Sequence, residues 1–258
     1  MIASVQKAAR LLTALADGKN KPVSLAQLSQ QTGISKPTCV HILATLMAEG
    51  YVERVSHVKG YMLGPSAFCL ARYGKYDDDF IAVCRPVMQW LRKKTAHTVI
   101  LAVVRGGRKF IIDFLDTEDN ILPGSADILP DDIYRTATGR VILANLDRNR
   151  VLEIYEQCGA PPPGHWDGVD SPESLLLNLA KLDKRGVVTV RDDTGTDAQT
   201  LTFGYAVALF CRGECVGALG VAVKCPKTEY PAFADEQREI QKQLLKASAE
   251  IGRRLAYS

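Results

Sequence analysis

The sequence predicts an α+β chain with a winged helix-turn-helix at its N-terminus, a linker helix after it, and a larger domain of helices flanking an antiparallel sheet. Three observations carry that expectation. Two short helices with capping residues meet at Thr32-Gly33, a small hairpin follows them, and two long apolar hairpins turn at RGGR and CRGEC. The expected boundaries are residues 1–64 for the winged domain, 65–76 for the linker helix and 77–258 for the sheet domain.

Ser4 is placed to cap a first helix in which Val5, Ala8, Leu12 and Leu15 line one side before GKNKP breaks it near Gly18. Burial within its own domain is the expected use of that stripe, and a dimer contact is the alternative. Ser24 with Gln27 three residues on fits a capping box, and Leu25 and Leu28 give the next helix its apolar side up to Thr32-Gly33. A third helix should begin at Ser35, whose hydroxyl suits the N-cap. Pro37 is tolerated in a first turn whose amides lack helical partners, and Val40, Leu43 and Leu46 or Met47 recur at helical spacing.

Residues 51–55 and 61–63 read as strands about SHVKG, where Gly60 lets the hairpin close into a wing. In such a module the second helix of the pair enters the DNA major groove, with the residues near its N-terminus toward the base edges. Those residues are Ser35, Lys36, Pro37, Thr38, Cys39 and His41. The charge agrees: through Ser66 there are seven Lys and Arg against three Asp and Glu, although the whole chain carries only +3. A winged helix that binds protein instead of DNA is the alternative, and it predicts no salt-dependent association with any duplex.

SAFCLARYGKY reads as a short linker helix ending near Gly74. Residues 77–96 form a longer helix, acidic in its first turn and ending in Arg92, Lys93 and Lys94, a polarity that complements the helix dipole. Pro86 is expected to kink it or divide it at Arg85. HTVILAVVRGGRKFIIDFLDT is the clearest hairpin, with glycine supplying the positive φ of its turn. Residues 121–129 read as strand and loop, residues 136–146 and 148–158 as helices, and APPPGHWDG as a surface loop. Ser171-Pro172 provides the cap and first-turn proline of a helix to about Arg185. VVTVRDD and the runs 201–210 and 215–223 continue the sheet; the last two are apolar nearly throughout, as burial on both faces demands. In the final helix Ile240, Leu244, Ala247, Ile251 and Leu255 make one stripe.

Composition excludes disorder, at 47% hydrophobic and 24% charged. The start lacks the features of a signal peptide, and no apolar run approaches the roughly 18 residues that span a bilayer, so a cytoplasmic protein with no membrane partner is expected. Seven scattered cysteines suggest neither a disulfide framework nor a zinc site. Cys211 and Cys215 could face each other across their hairpin as a redox switch, or act as small hydrophobes. Four histidines stand in no hydrolase, metalloprotease or phosphate-loop context, which argues against an enzyme. No cofactor or metal is expected.

Taken together, SVQKAARLLTALA, SLAQLSQQTGISKPTCVHILATLMAEGYVER, GYMLGP and the later RTATGRVILANL with KRGV resemble the IclR-type bacterial transcriptional regulators. The resemblance runs end to end and is strongest over the first 65 residues. It implies that the sheet domain is GAF-like and binds a small organic acid effector, and that the chain forms homodimers, often paired into tetramers, on a palindromic DNA operator. It also implies Lys36, Thr38 and His41 at or near bases and phosphates, with Ser24, Arg54, Lys59 and Tyr61 as backbone contacts. One departure is Ile42, which stands where the family commonly has arginine or a similar polar residue.

For the effector, RTATGRVIL resembles the family's small-residue turn opening a helix. Free amides at a helix N-terminus attract a carboxylate, so Ala137, Thr138 and Gly139 are its candidates. By position the resemblance adds Thr202, Gly204, Gly220 and Ala222 from the late hairpin and Asp192 or Asp193 before it. Gly204, Gly220 and Ala222 replace the family's more polar residues, so a roomier, less polar pocket is expected, which argues against a very small keto acid. Close strand packing or a bulge is the alternative use of each glycine.

Overall fold

The computed structural model describes residues 2–16, 18, 21–55, 60–73, 78–105, 107–116, 132–192, 199–228, 230 and 233–256, without the side chains of residues 71–73, 78, 132 and 192. The chain divides into two compact units, Met1–Asp77 and Asp78–Ser258.

The first unit contains α1 (Ala3–Ala16), α2 (Leu25–Thr32), α3 (Lys36–Ala48), β1 (Val52–Val55), β2 (Gly60–Leu63) and α4 (Pro65–Tyr73). Ser4 lies inside α1 and does not cap it; the Ile2 carbonyl already accepts the Gln6 amide at 3.2 Å. The buried side of α1 is Leu11, Ala14 and Leu15, whereas Val5 is 64% exposed. At α2 the capping box is complete: Gln27 N donates to Ser24 Oγ at 3.3 Å and Ser24 N donates to Gln27 Oε1 at 2.9 Å. Gly33 ends the helix at φ +68°, a left-handed conformation that glycine adopts without a side-chain penalty.

Ser35 occupies the N-cap of α3, but its hydroxyl bonds the Thr38 hydroxyl at 2.9 Å and caps no amide. The helix is also turned from the expected setting. Cys39 and Leu43 are fully buried with Leu11, Leu28 and Val52, Ile42 packs at the edge of that core, and Val40 is 44% exposed. β1 and β2 pair antiparallel, and Val23 adds a bridge by exchanging two 2.9 Å hydrogen bonds with Tyr61. Gly60 serves a close approach, since a Cβ there would stand 2.6 Å from Pro22 Cβ. The wing tip, with His57 and Lys59, lies outside the described residues.

The second unit contains α5 (Asp78–Thr95), β3 (Thr98–Arg105), β4 (Arg108–Leu115), α6 (Asp132–Arg135), α7 (Ala137–Asn145), α8 (Arg148–Cys158), α9 (Pro172–Ala180), β5 (Val188–Asp192), β6 (Thr200–Cys211), β7 (Glu214–Pro226) and α10 (Ala234–Ala256). Its five strands run antiparallel in the order β4-β3-β7-β6-β5. α5 and α10 cover one face, where Ile240, Leu244, Ala247, Ile251 and Leu255 meet Leu209, Leu219 and Val221. On the other face α7 lays Ala137, Val141 and Ile142 against Ala206, Ala208 and Ala218, and a layer of α6, α8 and α9 closes over it. The continuous apolar pattern of β6 and β7 thus reflects burial on both faces.

Pro86 neither divides nor ends α5. It and Ala82, whose carbonyl loses its amide partner, both lie on the exposed side, so the missing bond is not buried. α9 stops at Ala180, short of Arg185, because the Asp183 carboxylate accepts the amides of Arg185 and Gly186 at 3.1 and 2.9 Å and bends the chain. The β6–β7 turn has positive φ at both Arg212 (50°) and Gly213 (89°), the geometry that matches the twist of a two-residue hairpin. Cys211 and Cys215 do not face each other: Cys211 pairs with Glu214 and Cys215 with Phe210. Cys211 joins the α10 side and Cys215 the α7 side, so the redox pairing is excluded by the register. Residues 121–129 lie outside the described residues.

Candidate functional site

Two surfaces carry chemistry. The first is the outer face of α3, where Lys36, Pro37, Val40, His41, Ala44 and Thr45 are exposed in succession along the helix. Ser35 is exposed and Thr38 half-buried, their hydroxyls holding each other. Thr45 donates to the His41 carbonyl at 3.3 Å, which leaves its oxygen facing outward as an acceptor. Arg54 is exposed on β1, Ser24 is committed to its capping box, and Tyr61 is half-buried against the core. Cys39 is a correction: at 0% exposure, with its thiol 3.5 Å from the Ile34 carbonyl, it belongs to the core and has no access to a base.

The second is a cavity of about 150 Å³ between the sheet and the first turn of α7. Its floor is Ile100, Ile111, Val190, Thr202, Gly204, Gly220 and Ala222, and its roof is Arg135, Thr136, Ala137 and Thr138. Phe203, Tyr205 and Val221 send their side chains into the α10 core, so they meet the cavity through main chain. Gly220 lies beneath Thr138: a Cβ there would be 2.7 Å from Thr138 Cγ2, so close packing of helix on sheet explains this glycine. At Gly204 the corresponding approach, to Ala137 Cβ, is 3.4 Å.

Lys109 on β4 also lines this cavity. It is 3% exposed and its ammonium donates to Thr136 Oγ1 at 3.1 Å. Thr136 in turn caps α7 by accepting the Gly139 amide at 3.2 Å. A buried cation, three threonine hydroxyls and mostly carbon walls can hold one anionic group with a compact apolar body.

Six of the nine residues expected at the effector site are therefore together: Ala137, Thr138, Thr202, Gly204, Gly220 and Ala222. Gly139 is a correction, because its amide is taken by Thr136, and a Cβ there would strike the Ile133 carbonyl at 2.1 Å. Asp192 ends β5 with its side chain outside what is described, and Asp193 lies outside the described residues. Lys109, Arg135 and Thr136 were missed. Lys109 was reachable by counting back from Ile111 in period 2 along RKFII, which sets a charge on the inward side of the strand. Among the described residues no cluster of His, Cys, Asp or Glu is arranged to hold a metal, and no helix is long and apolar enough to cross a membrane.

Residues 4–56 match the IclR helix-turn-helix domain, and residues 77–253 match the domain described as bacterial transcriptional regulator IclR C-terminal. The chain is 27% identical over 220 residues to the transcriptional repressor IclR of Escherichia coli (strain K12), covering 83% of this chain and 74% of that one. It is 24% identical over 263 residues to the acetate operon repressor of Salmonella typhimurium (strain LT2), covering 97% and 89%. An IclR homolog from Microbacterium hydrocarbonoxydans, solved in complex with 4-hydroxybenzoate, has the same fold at a TM-score of 0.65 and 18% identity, covering 99% of this chain and 100% of that one.

Proposed function

The chain belongs to the IclR family of bacterial transcriptional regulators, and from that premise we propose that it binds a palindromic operator as a homodimer, with occupancy set by a small carboxylate effector. In this reading residues 1–64 read DNA, 65–76 link, and 77–258 bind the effector and oligomerise, as dimers that pair into tetramers in the cytoplasm. Lys36 and His41 approach bases, with Pro37 and Thr38 beside them. Ser35 stands with them at the start of the helix, and Arg54, Lys59 and Tyr61 hold the phosphate backbone and so the register.

The observation that supports DNA reading is the division of α3 into a buried side, Cys39 and Leu43, and an outer side that begins with Lys36 and carries His41. For the effector it is the buried ammonium of Lys109 in a cavity of about 150 Å³, a volume that takes one benzene-sized body. That size and charge suit a monocyclic or short branched carboxylate, consistent with the 4-hydroxybenzoate held by the Microbacterium hydrocarbonoxydans relative. The effector acts only through its different affinity for the states that space the two reading helices differently.

Fluorescence anisotropy on duplex from upstream of the chain's own gene tests both parts. Binding should weaken steeply with salt, and benzoate or 4-hydroxybenzoate should change it. Specific binding that survives Lys36→Ala with His41→Ala would remove α3 as the reader.

A further inference from the structure

We propose that Val40 selects thymine, its isopropyl group packing on the 5-methyl of one thymine in each operator half-site; the inference rests on α3 being the DNA reader. Four of the seven exposed residues of α3, Pro37, Val40, Ala44 and Ala48, carry no hydrogen-bonding side chain. Pro37, Val40 and Ala44 stand at i, i+3 and i+7 as an apolar strip beside His41, and the Ser35 and Thr38 hydroxyls hold each other. Val40 is 44% exposed because Cys39 and Leu43 fill the core side, so packing within the unit does not account for it. Lys36 on the same face and the surplus of positive charge through Ser66 direct this strip toward a polyanion.

In the major groove every base edge presents donors or acceptors, except that thymine also presents a methyl. An isopropyl group set against any other edge would leave a polar atom without its water and without a partner, at a cost. Thymine is therefore the one base that Val40 rewards. Discrimination on this face should fall on methyl contacts as well as on the hydrogen bond that His41 can make.

The test begins with full-length protein and selection of bound duplexes from a random pool. Each thymine of the selected half-site is then replaced by deoxyuridine, which removes only the methyl, and affinity is read by anisotropy. One position per half-site should lose about fourfold, the worth of burying one methyl-sized group. Val40→Ala should show no loss at that position, Val40→Ile should retain it, and His41→Ala should retain it while binding more weakly. Circular dichroism of each variant verifies the fold. Specific binding with no deoxyuridine-sensitive position, or with the same sensitivity in Val40→Ala, overturns the inference and leaves DNA reading intact. Selection of no sequence at all overturns both.

Discussion

The ammonium of Lys109 reaches the hydroxyl of Thr136 at 3.1 Å, which ties the inward side of β4 to the residue that caps α7. A charge so placed distinguishes ligands by charge more than by shape, since hydrogen bonds to ionised groups are about twice as strong as neutral ones. Lys109→Met should lower benzoate affinity by about tenfold or more and leave benzyl alcohol affinity within about threefold, on calorimetric titration. Equal losses for the two probes would mean that the side chain shapes the cavity and does not sense charge.

Gly220 and Gly204 differ in how closely the helix lies over them, 2.7 Å to Thr138 Cγ2 against 3.4 Å to Ala137 Cβ. Gly220→Ala should therefore lift the first turn of α7 and cost about 1–3 kcal/mol, whereas Gly204→Ala should fall within about 1 kcal/mol of the parent. Both added methyls intrude on the cavity, so both should weaken benzoate binding. Urea midpoints rank the two; equal destabilisation would contradict Gly220 as the point of helix-on-sheet contact.

At Gly33 space is not the constraint, because an added Cβ would meet nothing within 4 Å. The φ of +68° is, and Gly33→Ala should cost about 1 kcal/mol through backbone strain alone. Native-state hydrogen exchange at the α2 and α3 amides should accelerate by about fivefold. A neutral outcome would show that the turn relaxes to another conformation.

Burial, with the Asp113 carboxylate adding to it, pushes the Cys84 thiol from its ordinary 9.0 up to about 12. Above pH 9 the unfolded chain loses this proton while the native chain keeps it, so stability is fully present below pH 9 and declines as pH rises toward 12. Denaturation at pH 8 to 10.5 should show that decline. Cys84→Ala should make it shallower, leaving the contributions of Cys39 and Cys215, whose thiols burial also pushes up, and of Tyr134 and Tyr205, whose phenols burial pushes up as well. At pH 8 iodoacetamide should label Cys69, exposed on α4, and spare Cys84 in native protein. An unchanged pH slope in Cys84→Ala would reassign the decline to other groups.

The elements were legible where the signal is local. The capping box at Ser24, the helix over 148–158 and both long hairpins depend on residues within a few positions of one another, and each stands where it was expected. The sidedness of a helix is not local. Val40 and Cys39 differ by one position, about 100° of turn, and the less apolar of the two is inside, its thiol against the Ile34 carbonyl. Half of the cavity was legible as a stretch of small residues. For Lys109 the period-2 pattern gives the side of β4 it shares with Ile111, but not its burial, because that depends on α7 and on the strands that carry it, far along the chain.

Seven of the nine residues of α7 are buried, with Val141 and Ile142 on the sheet side and Leu143 and Ala144 on the side of α8 and α9. A helix so enclosed cannot bend or rotate without repacking both layers at once. It behaves as a connecting rod about 14 Å long, with the cavity at one end. At the other end Asn145 Nδ2 donates to the Lys184 carbonyl at 3.0 Å, and midway Arg140 grips Trp166 at 4.3 Å and the His165 carbonyl at 2.6 Å. The Pro-rich loop and the approach to β5 are therefore tied directly to the helix that roofs the cavity.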